Sequence, residues 1–354
     1  MNSASSLPLL QSLTGDAEIA ALFADEADLV AMLRFEAALA DVEAKAGLIE
    51  MAAARRIGEV CGAFEPDWDD LRAGVVRDGV VVPALVKQLR KAVGEPHSSA
   101  VHLGATSQDV IDTSLVLRLK ELVALLEARL DNLRAALDAL DARSGQTAQM
   151  AHTRMQKALP FSAADRIRSW TAPLIRHRRR LDEMKLRLLC LQLGGPVGNR
   201  SSFKGKGDEI ASGLAGMLGL EPSPPWQTER DGLGEFAALL ALMSGSLGKF
   251  GQDVALGAQN EVGEIAVAGG GGSSAMPHKT NPVSAELLVT LARFNAGLSG
   301  TLMQALVHEN ERSGAAWTLE WMVLPQMAEA TGAGLRIALD LVGRLSFRSP
   351  HEDF

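Results

Sequence analysis

Residues 108–146, QDVIDTSLVLRLKELVALLEARLDNLRAALDALDARSGQ, contain no proline and place Leu115, Leu119, Leu122, Leu126, Leu130, Leu133, Leu137 and Leu140 at three- and four-residue steps. Such spacing keeps one apolar stripe on one side of an α-helix, so a single very long helix is expected. The same behaviour recurs over 162–193, 233–262, 283–307 and 317–345. Shorter helical patterns cover 16–47 and 71–93, where Pro83 suits a first turn. No convincing strand alternation intervenes, and tyrosine is absent. Helices of about 30–40 residues far exceed the usual mean of about 11–12, and several in one chain predict an all-α long-helix bundle. The expected division is an N-terminal helical domain over 1–107 and a central bundle domain over 108–354. The leucine seam suits an inter-subunit bundle as well as a core within one chain.

The 354 residues are 47% hydrophobic and 22% charged, ample for a core without disulfides. Thirty-five Lys and Arg against 43 Asp and Glu give a net charge of −8, which disfavours a general nucleic-acid binder but leaves room for a local cationic pocket. The run Arg176-His177-Arg178-Arg179-Arg180, flanked by Asp182 and Glu183, reads as a salt-bridged helix face. Cys61 and Cys190 are far apart, so a reducing compartment fits and no metal spacing is present. The seven histidines show no metal-ligand spacing either, and no metal or organic cofactor is expected. No Lys or Arg precedes Arg34, as a signal or transit peptide would require, and no uninterrupted apolar run reaches about 18 residues. The expected location is the cytoplasm, away from any membrane.

Chemistry is sought in the polar segments between helices. Residues 269–282, GGGGSSAMPHKTNP, begin with four glycines, costly in chain entropy, and continue into Ser273, Ser274, Lys279 and Asn281. A Walker-type phosphate loop fails here, because Ser273 and His278 stand where it needs glycine. A lid carrying a proton-transfer serine fits better: Lys279 and the N–H groups of a glycine-rich turn could lower the serine's pKa. A solvated linker is the plainer alternative. In residues 102–113, HLGATSQDVIDT, Thr106 and Asp109 have the spacing of a capping box opening the long helix. The same helix N-terminus could hold an anion. Arg154, in AHTRMQKALP over 151–160, stays charged at neutral pH and can clamp a carboxylate, whereas His152 beside it can titrate.

The stretch 272–282 resembles the GSSxMPxKxNP signature of the fumarase/aspartase superfamily. Residues 106–109 are similar to its TSxD region, and 151–160 to its THxQxAxP stretch, with Arg154 where fumarases and amino-acid lyases carry histidine. The wording GATSQDVIDT, the segment PWQTERD over 225–231, and HENER over 308–312 with WTLEW over 317–321 are most like the superfamily's cycloisomerases.

The resemblance implies a bundle of the fumarase/aspartase type whose small C-terminal domain is largely missing. It implies an intramolecular lyase: closure of 3-carboxy-cis,cis-muconate to a lactone through an enediolate, as in protocatechuate breakdown by the beta-ketoadipate route. Ser273, Lys279 and Asn281 would be catalytic. Thr106, Ser107, Gln108, His152, Thr153, Arg154, Gln156, Ser274, Met276 and Arg312 would bind the small polycarboxylate substrate. It also implies a homotetramer whose active sites are shared between subunits. A lyase cleaving adenylosuccinate or argininosuccinate, disfavoured by Arg154, and a catalytically silent helical scaffold are the alternatives. Trp226, Trp317 and Trp321 read equally well as core anchors. Arg312 could instead pair with Glu309 or Glu320, and Arg230 is a weaker candidate for substrate contact.

Overall fold

The structure, a computed structural model, describes residues 8–350 apart from 273–275 and 277–279. Twelve α-helices lie among the described residues. The first six are short or medium: α1 (Pro8–Thr14), α2 (Ala17–Leu22), α3 (Asp25–Lys45), α4 (Met51–Gly62), α5 (Trp68–Asp78) and α6 (Val82–Val93). The seam described above becomes α7 (Ser107–Ser144), with all eight leucines buried. Then follow α8 (Ala163–Leu188), α9 (Gly207–Leu218), α10 (Asp231–Gly257), α11 (Val283–Gln304) and α12 (Gly314–Arg344). Pro83 sits in the first turn of α6, where its missing N–H costs nothing.

The core forms two clusters. In one, α7, α8, α10, α11 and α12 pack lengthwise around the leucine seam, with Trp170, Phe236, Phe250 and Met327 filling between them. The other joins α3–α6 to the first turns of α7, to Leu191, Leu193 and Phe203, and to α9. Side chains from both sides of residue 107 therefore share this second core. Helix α10 is long and apolar enough to cross a membrane by length and composition alone, but 61% of its most apolar window is buried inside the molecule.

Two small antiparallel pairs accompany the helices. Strands β1 (Ala148–Thr153) and β2 (Gln156–Ser162) form a hairpin where only irregular chain was expected. Its turn, Arg154-Met155, has φ of 48° and 65°. Both central residues are left-handed, the geometry that matches strand twist but usually selects Asn or Gly, so the residue types gave no turn signal. Strands β3 (Ile265–Val267) and β4 (Leu345–Phe347) pair over three residues each and tie the end of α12 to the approach of the glycine-rich segment. On α8, Arg178 bridges Glu127, Asp131 and Asp182, as the basic run suggested.

Candidate active site

The N-terminus of α7 is stapled to a neighbouring turn. Asp109 is fully buried and its carboxylate accepts four N–H groups: Gly194 N at 2.7 Å, Gly195 N at 2.9 Å, Gln192 Nε2 at 3.1 Å and Thr106 N at 3.0 Å. The last is the return half of the expected capping box. Burial pushes this carboxyl up to about 6, against the pull of the hydrogen bonds from Gly194, Thr106, Gly195 and Gln192. Gly194 has no room for a side chain, since a Cβ would lie 2.1 Å from Gln227 Oε1.

Onto this end folds the loop before α12. Arg312 Nε donates to Gln108 Oε1 at 3.0 Å, and its NH2 donates to Thr106 Oγ1 at 3.1 Å and to the Pro196 carbonyl at 3.2 Å. All three acceptors are neutral. Among the described residues no carboxylate pairs with Arg312, neither Glu309 nor Glu320, so its charge is left for another partner. Arg312 is exposed and lines an open cavity of about 850 Å³ with Ser107, Trp317, Thr318 and Trp321.

Beneath lies a buried ionic network. Arg230, the largest fully buried side chain, donates NH1 and NH2 to Asp112 at 2.7 and 3.0 Å. Its Nε and NH2 also reach the Glu320 carboxylate at 2.9 and 2.6 Å. The guanidinium stacks 4.7 Å from the Trp226 ring, and Trp317 Nε1 donates to Asp112 at 2.9 Å. His308 Nε2 stands 3.5 Å from Glu320 Oε1, the oxygen that Arg230 Nε also reaches. Burial works to raise the Glu320 carboxyl, but hydrogen bonds from His308 and Arg230 hold it below the usual carboxylate range. Arg230 is thus a structural cation with both partners occupied, and is not a substrate contact.

Chain-distant pieces complete the picture. Gly271 and Asn281 pair as an antiparallel bridge, with N–H···O bonds of 3.0 and 2.8 Å, closing the base of the segment between them. Two of the glycines serve this close approach: a Cβ on Gly270 would sit 2.3 Å from Thr280 Cγ2, and one on Gly271 would sit 2.6 Å from Val283 Cγ2. Asn281 is half-buried at that base and Met276 is exposed. Ser273, Ser274 and Lys279 lie outside the described residues.

The family model described as lyase matches residues 16–295. The chain belongs to the fumarase/aspartase superfamily of lyases. It is 41% identical over 333 residues to the 3-carboxy-cis,cis-muconate cycloisomerase of Pseudomonas aeruginosa, covering 92% of this chain and 72% of that one. The crystal structure of 3-carboxy-cis,cis-muconate lactonizing enzyme from Pseudomonas putida superposes with a TM-score of 0.89 at 38% identity, over 96% of this chain and 77% of the other. The beta-carboxy-cis,cis-muconate cycloisomerase of Acinetobacter calcoaceticus gives 0.90 at 29% identity, over 96% and 78%.

As a superfamily member the chain brings together Thr106, Ser107, Gln108 and Arg312. It does not join them to the hairpin: His152, Thr153, Arg154 and Gln156 are all exposed on β1, β2 and their turn. There, among the described residues, His152 Nδ1 meets the Met150 carbonyl at 3.1 Å, and Gln156 Nε2 the Met155 carbonyl at 3.2 Å. Gln108 is placed unlike Thr106 and Ser107, which precede it and are partly exposed. It has no exposed surface, and both of its polar atoms are engaged by the protein. From the sequence, Asp109 was expected only as a capping residue and Glu320 only as an alternative partner of Arg312, and nothing was assigned to Asp112. The signal was available: Asp109 and Asp112, one turn apart, interrupt a stretch of α7 that is otherwise apolar or hydroxyl-bearing, and such charges are buried only when paired.

Proposed function

We propose that the protein is a cycloisomerase that converts 3-carboxy-cis,cis-muconate to a carboxymuconolactone. The observation carrying this reading is Arg312: a guanidinium facing a cavity, held by neutral acceptors only, beside the Thr106 and Ser107 hydroxyls at a helix N-terminus. Such a site favours carboxylate, through the Arg312 charge with the NH1 hydrogens left unused by its three neutral acceptors, free N–H groups and the helix dipole. Similar proteins point the same way, since the Pseudomonas aeruginosa relative is a 3-carboxy-cis,cis-muconate cycloisomerase.

In the proposed reaction one substrate carboxylate oxygen adds to the diene carbon β to a second carboxylate. A C–O bond forms, one C=C π pair moves into the second carboxylate, and an enediolate results. The α-carbon then takes a proton from the Ser273 hydroxyl, which solvent reprotonates, so the substrate trianion takes up one proton and becomes a lactone dianion; as free acids the two are isomers. The nucleophile is already attached, and the protein's work is to hold the attack geometry and stabilise the enediolate. Lys279, Asn281 and main-chain N–H groups around Gly272 would meet the enediolate oxygens. Thr106, Ser107 and Arg312 would hold a remaining carboxylate, with Ser274 and Met276 closing over the substrate.

His152, Thr153, Arg154 and Gln156 complete the site only if a neighbouring copy presents its hairpin. We therefore place them in a homotetramer with shared sites. Exposed apolar side chains on the bundle support such an assembly: Leu242 on α10 is 53% exposed, Phe294 on α11 46%.

The test is the ultraviolet absorbance of 3-carboxy-cis,cis-muconate with the purified protein, alongside adenylosuccinate and argininosuccinate. Loss of the conjugated-diene band, slowed by orders of magnitude in Ser273→Ala with the oligomer intact, is the expected result. Turnover of either succinyl adduct instead of the muconate would establish a lyase, and a fast Ser273→Ala would remove that serine from the mechanism.

A further inference from the structure

We infer that Gln108 is the positioning residue for Arg312, and that its being a neutral glutamine keeps the guanidinium's charge available for substrate. The inference rests on the carboxylate-binding reading of Arg312 given above. Gln108 Nε2 has two hydrogens, and the protein takes both: one goes to Asp112 Oδ2 at 3.1 Å, the other to the Gln227 carbonyl at 2.7 Å. Only Oε1 remains, and it accepts from Arg312 Nε at 3.0 Å. A flipped carboxamide would set oxygen against a carboxylate and a carbonyl, and NH2 against the Arg312 N–H, losing all three bonds at a fully buried site.

The orientation is enforced from below. Asp112 is itself immobilised by the bidentate Arg230 pair and by Trp317 Nε1. Arg230 is fixed in turn by Glu320, which lies on the helix that the Arg312 loop enters. A continuous path thus runs from the buried ion network through one carboxamide to the exposed cation: Arg230, Asp112, Gln108, Arg312. Directional hydrogen bonds fix a guanidinium plane only if the acceptor is itself fixed, and every acceptor in this path is buried and doubly held. A carboxylate in the place of Gln108 would neutralise Arg312, and its second oxygen would face Asp112 Oδ2 and the Gln227 carbonyl with no hydrogen to donate to either.

The experiment is a double-mutant cycle of Gln108→Met with Arg312→Ala, read on kcat and KM for 3-carboxy-cis,cis-muconate and on the Kd of citrate, a tricarboxylate probe, by calorimetry. Gln108→Met is expected to raise KM and the citrate Kd about tenfold, the size of one lost hydrogen bond to a charged group. It should change kcat less than about threefold. In the Arg312→Ala background it should have no further effect. Gln108→Glu, close in volume, should weaken binding more than Gln108→Met, and it serves as the probe if Gln108→Met does not fold. Additive effects, unchanged KM and Kd, or normal binding by Gln108→Glu would each overturn the inference. Citrate binding with the expected coupling but no muconate turnover would sink the cycloisomerase reading and leave this one standing. Turnover with an additive cycle would do the reverse, and absence of both turnover and citrate binding would overturn Arg312's assignment altogether.

Discussion

Replacing Arg230 by methionine tests the buried network directly. Arg230→Met keeps much of the apolar stem but removes four charged hydrogen bonds, two to Asp112 and two to Glu320. Asp112 keeps Trp317 Nε1 and Gln108 Nε2, whereas Glu320 keeps only His308 at 3.5 Å. Breaking a buried pair on one side typically costs about 3–5 kcal/mol, because a charge is left uncompensated in the interior. With an unfolding entropy of roughly 2.1 cal/mol/K per residue over 354 residues, that loss lowers Tm by about 4–7 °C. The assay is thermal unfolding at fixed protein concentration, so that oligomer mass action does not shift the midpoint. The deficit should be largest at pH 8. It should shrink toward pH 5, because a stranded carboxylate can take up a proton once its guanidinium is gone. In the wild type the sign is opposite: the folded-state pKa of Glu320 is depressed, so its contribution is present above about 4.5 and disappears as pH falls through the folded value. Adding Asp112→Asn and Glu320→Gln to Arg230→Met should recover most of the loss. A Tm within about 1 °C of wild type for Arg230→Met, or a deficit independent of pH and not recovered by the neutral triple variant, would refute the reasoning.

Four further substitutions bear on other parts of the molecule. Glu43 on α3 is fully buried with neither carboxyl oxygen hydrogen-bonded among the described residues, and burial followed by repulsion from Glu36 pushes its carboxyl up to about 9. The folded state therefore holds a proton that the unfolded chain releases, and stability falls as pH rises from about 4.5 toward 9; Glu43→Gln should flatten that fall by a few kcal/mol in denaturant titrations at pH 6 and pH 9. At Gly332 on α12 a Cβ would lie 2.0 Å from Ile19 Cδ1 and 2.9 Å from an Arg129 nitrogen, so Gly332→Ala should cost about 1–3 kcal/mol by urea unfolding. Gly343, on the same helix with open space around it, should gain stability by roughly 0.5–1 kcal/mol on substitution by alanine, and a loss at both positions would discredit the steric argument. Arg154→His, on the exposed hairpin turn, should raise KM for the muconate about tenfold or more with little change in kcat, and a collapse of kcat alone would move Arg154 from binding to the reacting atoms.

The bundle was legible because helix is a local code. A leucine every three or four residues specifies the buried side of α7 whatever it packs against, and the helices α8, α10, α11 and α12 follow from the same pattern to within a few residues at most ends. The motif segments were legible for a related reason: serine, lysine and asparagine beside a run of glycines announce chemistry within one short window. The hairpin at 148–162 was not, since its turn uses Arg154 and Met155 in left-handed conformations that neither residue type advertises.

What the sequence by itself determined is which segments are helical, which face of each is apolar, and which loops carry hydroxyls, amides and cations. Only the tertiary structure decided what those charges do. Arg230 and Arg312 look alike in sequence, each near tryptophan and glutamate. Yet Arg230 finds Asp112 and Glu320, 118 and 90 residues away, and is spent on the core. Arg312 finds Gln108 and Thr106, 204 and 206 residues away, and keeps its charge. No periodicity records such a meeting, because the partner of a buried ion is set by how whole helices pack and not by the spacing of residues along any one of them.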